Sequence, residues 1–170
     1  VQDSLNDKQN FIKAWQLNER HYGALTGLSK VEMIEKLGEE KVHQFRRSWD
    51  LKPDPLDKQS PFHPSNIDAY KNVPAENIPD TESLKDTFVR VTNYYKSEIG
   101  SNLNNGNVLI SAHGNSIRAL CKYLFKLDKV QISNLEIPTG NPLLIKIDEG
   151  QKIEGCRYLD QDRAKDLVVF

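Results

Sequence analysis

Cysteine is scarce in this sequence, which argues against a covalent framework. The 170 residues include two cysteines, Cys121 and Cys156, and no CxxC pair. A scaffold held by disulfides needs more than that, so we expect a reducing, cytoplasmic setting. There is also no HExxH motif and no cluster of aspartates, so no metal is expected.

Excess charge and long apolar runs are missing as well. Lysine and arginine number 23 and aspartate and glutamate 24, for a net charge of −1. Binding to a phosphate backbone needs a clear basic excess, so nucleic acid is not expected as a partner. No apolar run approaches the roughly 18 residues that span a bilayer, and no signal peptide is visible, so no membrane partner is expected.

Two common catalytic loops do not occur. The sequence has no G-x-x-x-x-G-K-S/T loop and no G-x-S-x-G elbow. We therefore expect neither a P-loop nucleotide enzyme nor a serine hydrolase. The length is typical of one domain, so residues 1–170 are expected to form a single domain with a core large enough to fold without staples.

The most informative stretch that is present reads NVLISAHGNSIRALCKYLFK. Asn107 to Ala112 is a short apolar run that predicts a buried strand, with His113 at its end. Gly114 allows a tight turn, and Asn115 or Ser116 can cap a helix. That helix carries apolar residues at helical spacing: Ile117, Leu120, Cys121 and Leu124. The pattern indicates either a phosphate or carboxylate site at the strand edge, or merely a buried strand that ends in histidine.

A polar cluster follows a short apolar segment near the start. Residues Asn10 to Leu17 are compatible with a half-buried strand, and NERHY comes next. In an extended backbone, Glu19 and His21 would face one way and Arg20 and Tyr22 the other. The sequence alone leaves it open whether the His21 imidazole packs inside the protein or faces a ligand, because one step in register decides its face.

Periodic segments account for much of the remaining chain. Residues 50–80 hold six of the eight prolines and read as a long irregular excursion, which in a compact domain is usually functional or disordered. Before it, the sequence predicts a helix over 30–37 capped by Ser29 and a helix over Glu39 to Trp49 that buries Val42, Phe45 and Trp49. After it, a helix capped by Asp80 or Thr81 is predicted to bury Leu84, Phe88, Val91, Tyr95 and Ile99. A strand is predicted over 143–148.

The polar groups that are not needed for a core are rich in anion binders. From the residues alone, a common alternative to a binding role for Arg46 and Arg47 is a solvated helix end. For Glu19 the alternative is a surface ion pair with Arg20 or Lys30. Taken together, the set favours an enzyme that acts on a small phosphorylated acid. Its members are Glu19, Arg20, His21, Tyr22, Lys30, Arg46, Arg47, His113 and Asn115.

Five of these segments, in order, resemble one enzyme family. LNERHYGALTG, GEEKVHQFRRSWD, TESLKDT, AHGNSIRALCKYL and EIPTGNPLLIKID closely resemble cofactor-dependent phosphoglycerate mutase, collinearly from about Phe11 to Asp148. The resemblance implies the histidine phosphatase fold. That fold is an α/β structure, a mostly parallel sheet with helices on both faces, and here it would be incomplete at its N-terminus.

The resemblance also implies roles for the matching positions. Glu19 would donate and accept the proton of the substrate hydroxyl, and His113 would stabilise the phosphoryl group in transit. Both would be catalytic. The substrate-binding positions would be Arg20, His21 and Tyr22 at the pocket wall, Lys30, Arg46 and Arg47 on the phosphate and carboxylate, and Gly114 and Asn115 as donors beside His113.

One part of the family pattern is missing. The family's nucleophile lies in an Arg-His-Gly motif at the end of its first strand, and no RHG occurs in this sequence. His113 does not match that motif, because Gly-Asn-Ser follows it. The chain would therefore be the C-terminal portion of the domain, with the nucleophile cleaved off, outside the sequence, disordered or on another chain. Residues 1–10 fit this view, because they resemble the end of a helix partway into a larger fold.

Cofactor, substrates and assembly follow from the same resemblance. It implies 2,3-bisphosphoglycerate as phosphoryl donor and small phosphorylated three-carbon acids as substrates. The reaction would be the interconversion of 3- and 2-phosphoglycerate in glycolysis and gluconeogenesis, through a phosphohistidine. Two alternatives are a bisphosphoglycerate synthase or phosphatase, and a non-catalytic phosphoanion-binding fragment, since this chain alone is expected to be inactive. The family is often oligomeric, which implies a homodimer or homotetramer.

Overall fold

A computed structural model describes residues 11–164. The expectations for residues 1–10 and for the end of the tail lie outside the described residues. Among the described helices, none combines the length and the apolar character that a bilayer crossing requires.

Two short helices follow the polar cluster. Helix α1 is Lys30–Leu37, and helix α2 is Glu39–Arg47. Ser29 caps α1 in a reciprocal capping box with Glu32, as its sequence position predicts. Val42 and Phe45 are the buried residues of α2, but Trp49 lies beyond its end. The prediction of a helix as far as Trp49 is therefore wrong by two residues.

The core forms where two longer helices pack together. Helix α3 is Leu84–Tyr94 and continues through a π-helical turn, Tyr95–Ile99, and a last short turn, Gly100–Asn102. Helix α4 is Gly114–Phe125. The predicted stripe of α3 is confirmed, with Phe88 only partly buried. The core residues of the two helices are Leu84, Val91, Tyr95, Ile99, Ala119, Leu120 and Cys121.

The caps of both core helices differ from the sequence predictions. Ser83, and not Asp80 or Thr81, caps α3 through a capping box with Asp86. Helix α4 already begins at Gly114, so neither Asn115 nor Ser116 caps it. Side chains that could cap α3 were available at several adjacent positions, and the S-x-x-D spacing of Ser83 and Asp86 marks the one that the backbone uses.

The sheet differs most from the sequence prediction. Helix α5, Lys129–Asn134, leads to strand β1, Leu143–Ile147, which pairs antiparallel with strand β2, Ile153–Tyr158. Within residues 11–164 this two-stranded sheet is the only one. The described chain is therefore α/β with helices, and a mostly parallel sheet is not found in it.

Residues 107–112 show why the expected central strand is wrong for the described chain. The segment belongs to no sheet, and Leu109 is 71% exposed. An apolar run predicts burial, but a strand exists only when a neighbouring strand accepts its hydrogen bonds. Residues 11–164 provide no such neighbour. The half-buried strand expected near the start is likewise wrong where it is described, because residues 11–14 form no strand and Trp15–Leu17 is a 3₁₀ turn.

The proline-rich excursion is an ordered path that returns to the polar cluster. It contains three short 3₁₀ turns, Pro64–Asn66, Asp68–Tyr70 and Ala75–Asn77. Gly23 shows how closely the excursion approaches: a Cβ there would lie 2.1 Å from the carbonyl oxygen of Asp54, and the φ of Gly23 is +54°. Any side chain at this position would displace residue 54 of the excursion from the segment around Gly23.

Candidate active site

One open cleft collects most of the predicted site residues. Its volume is about 790 Å³, and it lies between the segment 18–22, the end of α2, the start of α4 and the excursion. The predicted residues that line it are Glu19, Arg20, His21, Tyr22, Arg46, Arg47, His113, Gly114 and Asn115.

Glu19 is held by donors from two elements. Its Oε1 accepts hydrogen bonds from the backbone N–H of Arg20 at 2.8 Å and from Nδ2 of Asn115 at 2.6 Å. Its Oε2 accepts from the backbone N–H of Asn115 at 3.4 Å. The carboxylate therefore sits at the N-terminal end of α4, where the helix dipole and free N–H groups attract an anion.

Tyr22 lies close to Glu19, because one side chain donates a hydrogen bond to both. Tyr22 has φ −86° and ψ 14°, outside the extended region. Nδ2 of Asn115 donates to the Tyr22 hydroxyl at 3.0 Å as well as to Glu19. The expected alternation puts Arg20 and Tyr22 on one side, and the Arg20 guanidinium does lie 4.4 Å from the Tyr22 ring centroid. The expected alternation does not predict that the side chains of Glu19 and Tyr22 share a hydrogen-bond donor.

Arg20 is a buried cation rather than a surface residue. Its exposed fraction is 2%, and Nη2 donates to the carbonyl oxygen of Phe45 near the end of α2. Within the described chain, Nε and Nη1 are buried without a hydrogen-bond partner. Burial lowers the pKa of Arg20, against the opposing effect of nearby Tyr22, Glu19 and Glu82. Unpaired buried donors are costly, and an anion in the cleft could satisfy them.

The two arginines at the end of α2 have different surroundings. Arg46 is exposed at the cleft, whereas Arg47 is about half-buried and forms an ion pair with Glu136. Glu136 also lines the cleft, in the loop after α5. A ligand anion that binds Arg47 would therefore compete with a carboxylate already present.

The cleft is completed by His113 and by His21. His113 is exposed and has an extended backbone immediately before α4, with φ −86° and ψ 163°. His21 is more enclosed: its backbone N–H donates to Oε2 of Glu82 at 2.9 Å, and its Nε2 lies 3.5 Å from the Tyr70 hydroxyl. Burial lowers the pKa of His21, with Arg90 and His63 acting in the same direction and Glu82 against them.

Lys30 is the one predicted residue that does not line the cleft. It is exposed at the first position of α1. Its role in binding stays a prediction.

Arg118 lines the cleft but was not among the predicted site residues. It is 5% exposed, and its guanidinium donates to the Asn115 side chain and to a backbone carbonyl of α5. Burial, followed by the nearby charges of Arg47 and Arg20, lowers the pKa of Arg118 to about 10. One signal was available in the sequence: an arginine in the otherwise apolar run IRALC, three residues after Asn115, where helical spacing makes the two neighbours.

A buried ion pair supports the segment that carries Glu19. Arg90 of α3 binds both carboxylate oxygens of Glu82, with Nε–Oε1 at 2.7 Å and Nη2–Oε2 at 2.9 Å. The same guanidinium donates to the backbone carbonyls of Gln16 at 2.7 Å and Glu19 at 3.1 Å. The core helix α3 thus positions the backbone just before and within the polar cluster.

Comparison with known proteins relates this chain to one family. The family model of the histidine phosphatase superfamily (branch 1) matches residues 55–155. A 2,3-bisphosphoglycerate-dependent phosphoglycerate mutase of Pelagibacter ubique is 68% identical over 171 residues, which cover 100% of this chain and 72% of the relative. Enzymes of the same name from Hyphomonas neptunium and Hydrogenobaculum sp. are 50% and 46% identical, over 91% and 92% of this chain. This chain spans 65% and 64% of those two relatives.

Proposed function

This chain belongs to the histidine phosphatase superfamily and, within it, to the 2,3-bisphosphoglycerate-dependent phosphoglycerate mutases, and on that premise we propose that its protein interconverts 3-phosphoglycerate and 2-phosphoglycerate in glycolysis. The reaction is an isomerisation achieved by phosphoryl transfer through a phosphohistidine. The Arg-His-Gly motif that carries this histidine in the family does not occur in residues 1–170. The cleft described above is therefore proposed to be the part of the active site that binds the substrate, without the nucleophilic histidine.

One observation carries the proposal: the Glu19 carboxylate, four arginines and an exposed histidine converge on a single cleft. Three separate parts of the chain contribute to this cavity: Glu19 and Arg20, then Arg46 and Arg47, and finally His113 with Arg118. Transfer of a phosphoryl group requires mainly fixed positive charge and exact placement, because negative charge is spread over the equatorial oxygens. A proton acceptor is needed in addition, because the substrate hydroxyl must lose its proton when it is phosphorylated.

The side chains that line the cleft have roles that their positions support, whereas Lys30, outside the cleft, is included from the family resemblance alone. Glu19 exchanges the proton of the substrate hydroxyl, and His113, together with Gly114 and Asn115, stabilises the phosphoryl group at the start of α4. Arginine forks bind phosphate and carboxylate with two parallel hydrogen bonds, so Arg46 and Arg47 suit the two anionic ends of a phosphoglycerate. Further contacts to the substrate are proposed for Arg20, His21, Tyr22 and Lys30.

The donors of the cleft fit a phosphorylated cofactor. Nε and Nη1 of Arg20 are buried donors without a partner in the described chain, which is the chemistry that phosphate oxygens complement. Arg46 and Arg47 would hold a second anionic group at the rim. When bound, 2,3-bisphosphoglycerate would supply the phosphoryl group that primes the enzyme.

Other features of the family are proposed on the same premise. We propose that the mostly parallel sheet, with helices on both faces, forms in the intact domain, and that residues 1–170 are one C-terminal part of it. An apolar run that precedes His113 but lies exposed supports this, since Leu109 needs a covering strand. A cytoplasmic location and a homodimer or homotetramer are proposals of the same kind. The synthase or phosphatase alternative has no observation in its favour.

An assay of the full-length protein that carries this sequence tests the proposal. With 3-phosphoglycerate and a trace of 2,3-bisphosphoglycerate, we expect 2-phosphoglycerate to form at a rate well above synthesis or hydrolysis of the bisphosphate. Intact mass and N-terminal sequencing of the same sample establish whether an Arg-His-Gly segment accompanies the chain. Hydrolysis of 2,3-bisphosphoglycerate as the main activity would refute the mutase assignment and identify a phosphatase.

A further inference from the structure

We propose that Arg118 is a positioning residue that orients the Asn115 amide and, through it, the Glu19 carboxylate and the Tyr22 hydroxyl. The consequence for catalysis rests on the proposed role of Glu19 in proton transfer. The geometric part does not, because it concerns only contacts between side chains of this chain.

The guanidinium of Arg118 is anchored on both sides. Its Nη1 donates to Oδ1 of Asn115 at 3.0 Å, one helical turn earlier on α4. Its Nη2 donates to the carbonyl oxygen of Ile132 on α5, a residue that is completely buried. Because α5 packs into the core, the guanidinium has little freedom, and its planar fork holds the direction of each hydrogen bond.

The amide of Asn115 has one orientation that satisfies all its neighbours. An arginine offers only donors, so the amide atom that faces Arg118 must be the oxygen. The amide nitrogen then faces the other way, where it donates to Oε1 of Glu19 at 2.6 Å and to the Tyr22 hydroxyl at 3.0 Å. Both ends of the amide therefore specify the same assignment.

The reverse orientation would be penalised twice. It would place the amide NH₂ group against a guanidinium that cannot accept a hydrogen bond, and it would place the amide oxygen against a carboxylate oxygen of Glu19. Without Arg118 the first penalty disappears, so the difference in free energy between the two orientations falls. A fraction of molecules would then present the wrong atom to Glu19.

Glu19 would be loosened by this change but not released. The backbone N–H groups of Arg20 and Asn115 still donate to its carboxylate. The expected effect is therefore a misplaced proton acceptor in a cleft that still binds its ligand. Loss of placement lowers kcat more than it raises KM, because substrate binding by the arginines at the cleft is retained.

The geometric part can be measured directly in the full-length protein. In the wild type, the two Nδ2 protons of Asn115 are both bonded, so we expect them to exchange slowly and to give separated NMR signals. In Arg118→Met we expect their exchange to accelerate at least about tenfold, since a rotating amide loses both partners. The matched control is Arg163→Met, which removes an exposed arginine that donates to the carbonyl of Thr139 and does not line the cleft. Unchanged Asn115 protons in a folded Arg118→Met protein would overturn the proposal.

The catalytic part is tested by a double-mutant cycle in the same assay. We expect Arg118→Met to lower kcat about tenfold and to change KM less than about threefold. In an Asn115→Ala background, the same substitution should change kcat less than about twofold, because its route to Glu19 is already gone. An equal loss in both backgrounds would show that Arg118 acts independently of Asn115, and the proposal would be wrong.

A conservative variant guards against loss of the fold. Arg118→Lys keeps a buried cation and a donor for Oδ1 of Asn115, so we expect it to restore part of kcat and the slow exchange of the Asn115 amide. A lysine variant as impaired as Arg118→Met in both measurements would contradict a positioning role. If the wild type has no mutase activity, the proposed function fails, while the exchange measurement still decides the orientation of Asn115.

Discussion

Glu19 is the residue on which the proposed chemistry depends. Three N–H groups converge on its carboxylate, two of them from Asn115, so its position is set largely by the start of helix α4. The alternative of a surface ion pair with the Arg20 side chain is not what is observed, because it is the backbone of Arg20 that donates. These hydrogen bonds keep the carboxylate at the cleft, where it can accept a proton from a bound ligand.

Replacement of this carboxylate tests its role. We expect Glu19→Gln to lower kcat by about a hundredfold or more, in the range that a general acid or base contributes, because an amide cannot take up the hydroxyl proton. The binding of 3-phosphoglycerate, measured by calorimetry, should change little. Turnover equal to that of the wild type would remove Glu19 from the mechanism.

The enclosed imidazole of His21 makes stability depend on pH. Burial lowers its pKa in the folded state, so the folded protein takes up this proton less readily than the unfolded chain. The contribution to stability is therefore complete above the unfolded pKa of about 6.5 and is lost as the pH falls through the lower folded value. We expect the free energy of unfolding in urea to decrease from pH 7.5 to pH 5.

A substitution separates this effect from other acid-sensitive groups. His21→Gln should flatten the decrease between pH 7.5 and pH 5, whereas His43→Gln, at an exposed position on α2, should leave it unchanged. Equal slopes in His21→Gln and in the wild type would assign the acid sensitivity to another group.

At the scale of elements, α3 holds the active-site segment through the ion pair of Arg90 and Glu82. The side chain of Glu82 is 4% exposed and that of Arg90 12% exposed. A buried pair adds little net stability by itself, but removal of one partner leaves an uncompensated charge. The pair also satisfies the carbonyls of Gln16 and Glu19.

Loss of this pair should therefore be costly. We expect Arg90→Met to lower the free energy of unfolding by about 3–5 kcal/mol, because Glu82 stays buried without its partner. The matched control is Lys52→Met, which breaks the exposed pair with Asp86 and should cost less than about 1 kcal/mol. Similar losses for both variants in chemical denaturation would mean that the buried pair is not critical.

The whole molecule combines a balanced net charge with a locally basic cleft. The net charge is −1, yet Arg20, Arg46, Arg47 and Arg118 all line the cavity. Positive charge concentrated in a cleft attracts anions even when the protein as a whole is nearly neutral. Stabilisation by a ligand should then depend on its phosphate.

A thermal measurement tests this concentration of charge. We expect 3-phosphoglycerate at one hundred times its dissociation constant to stabilise the full-length protein by about 2.7 kcal/mol and to raise its melting temperature. Glycerate, which lacks the phosphate, should have little effect at the same concentration. Added salt should weaken the effect, since exposed charges at the rim are screened. An equal shift with glycerate would place the phosphate outside the arginine cluster.

Local patterns in the sequence determined the helices and the chemistry of the site. The spacing of Leu84, Val91, Tyr95 and Ile99 predicts the buried face of α3, because a helix repeats every 3.6 residues whatever surrounds it. The side-chain types at positions 19–22, 46, 47 and 113 indicate an anion site for the same reason: charge and hydrogen-bonding capacity belong to the residue itself.

Which groups meet, and in which orientation, depends on how distant segments of the chain pack together. The pairing of residues 107–112 depends on a neighbouring strand, which no local segment supplies. The capping box of Ser83 with Asp86, by contrast, follows from the local S-x-x-D spacing. The hydrogen bonds that link Arg118 to Asn115 and Asn115 to Glu19 join distant parts of the chain, since Asn115 and Glu19 are 96 positions apart. Contacts at that separation follow from the packing of α3 against α4, because the fold as a whole, and not any short stretch, minimises the free energy.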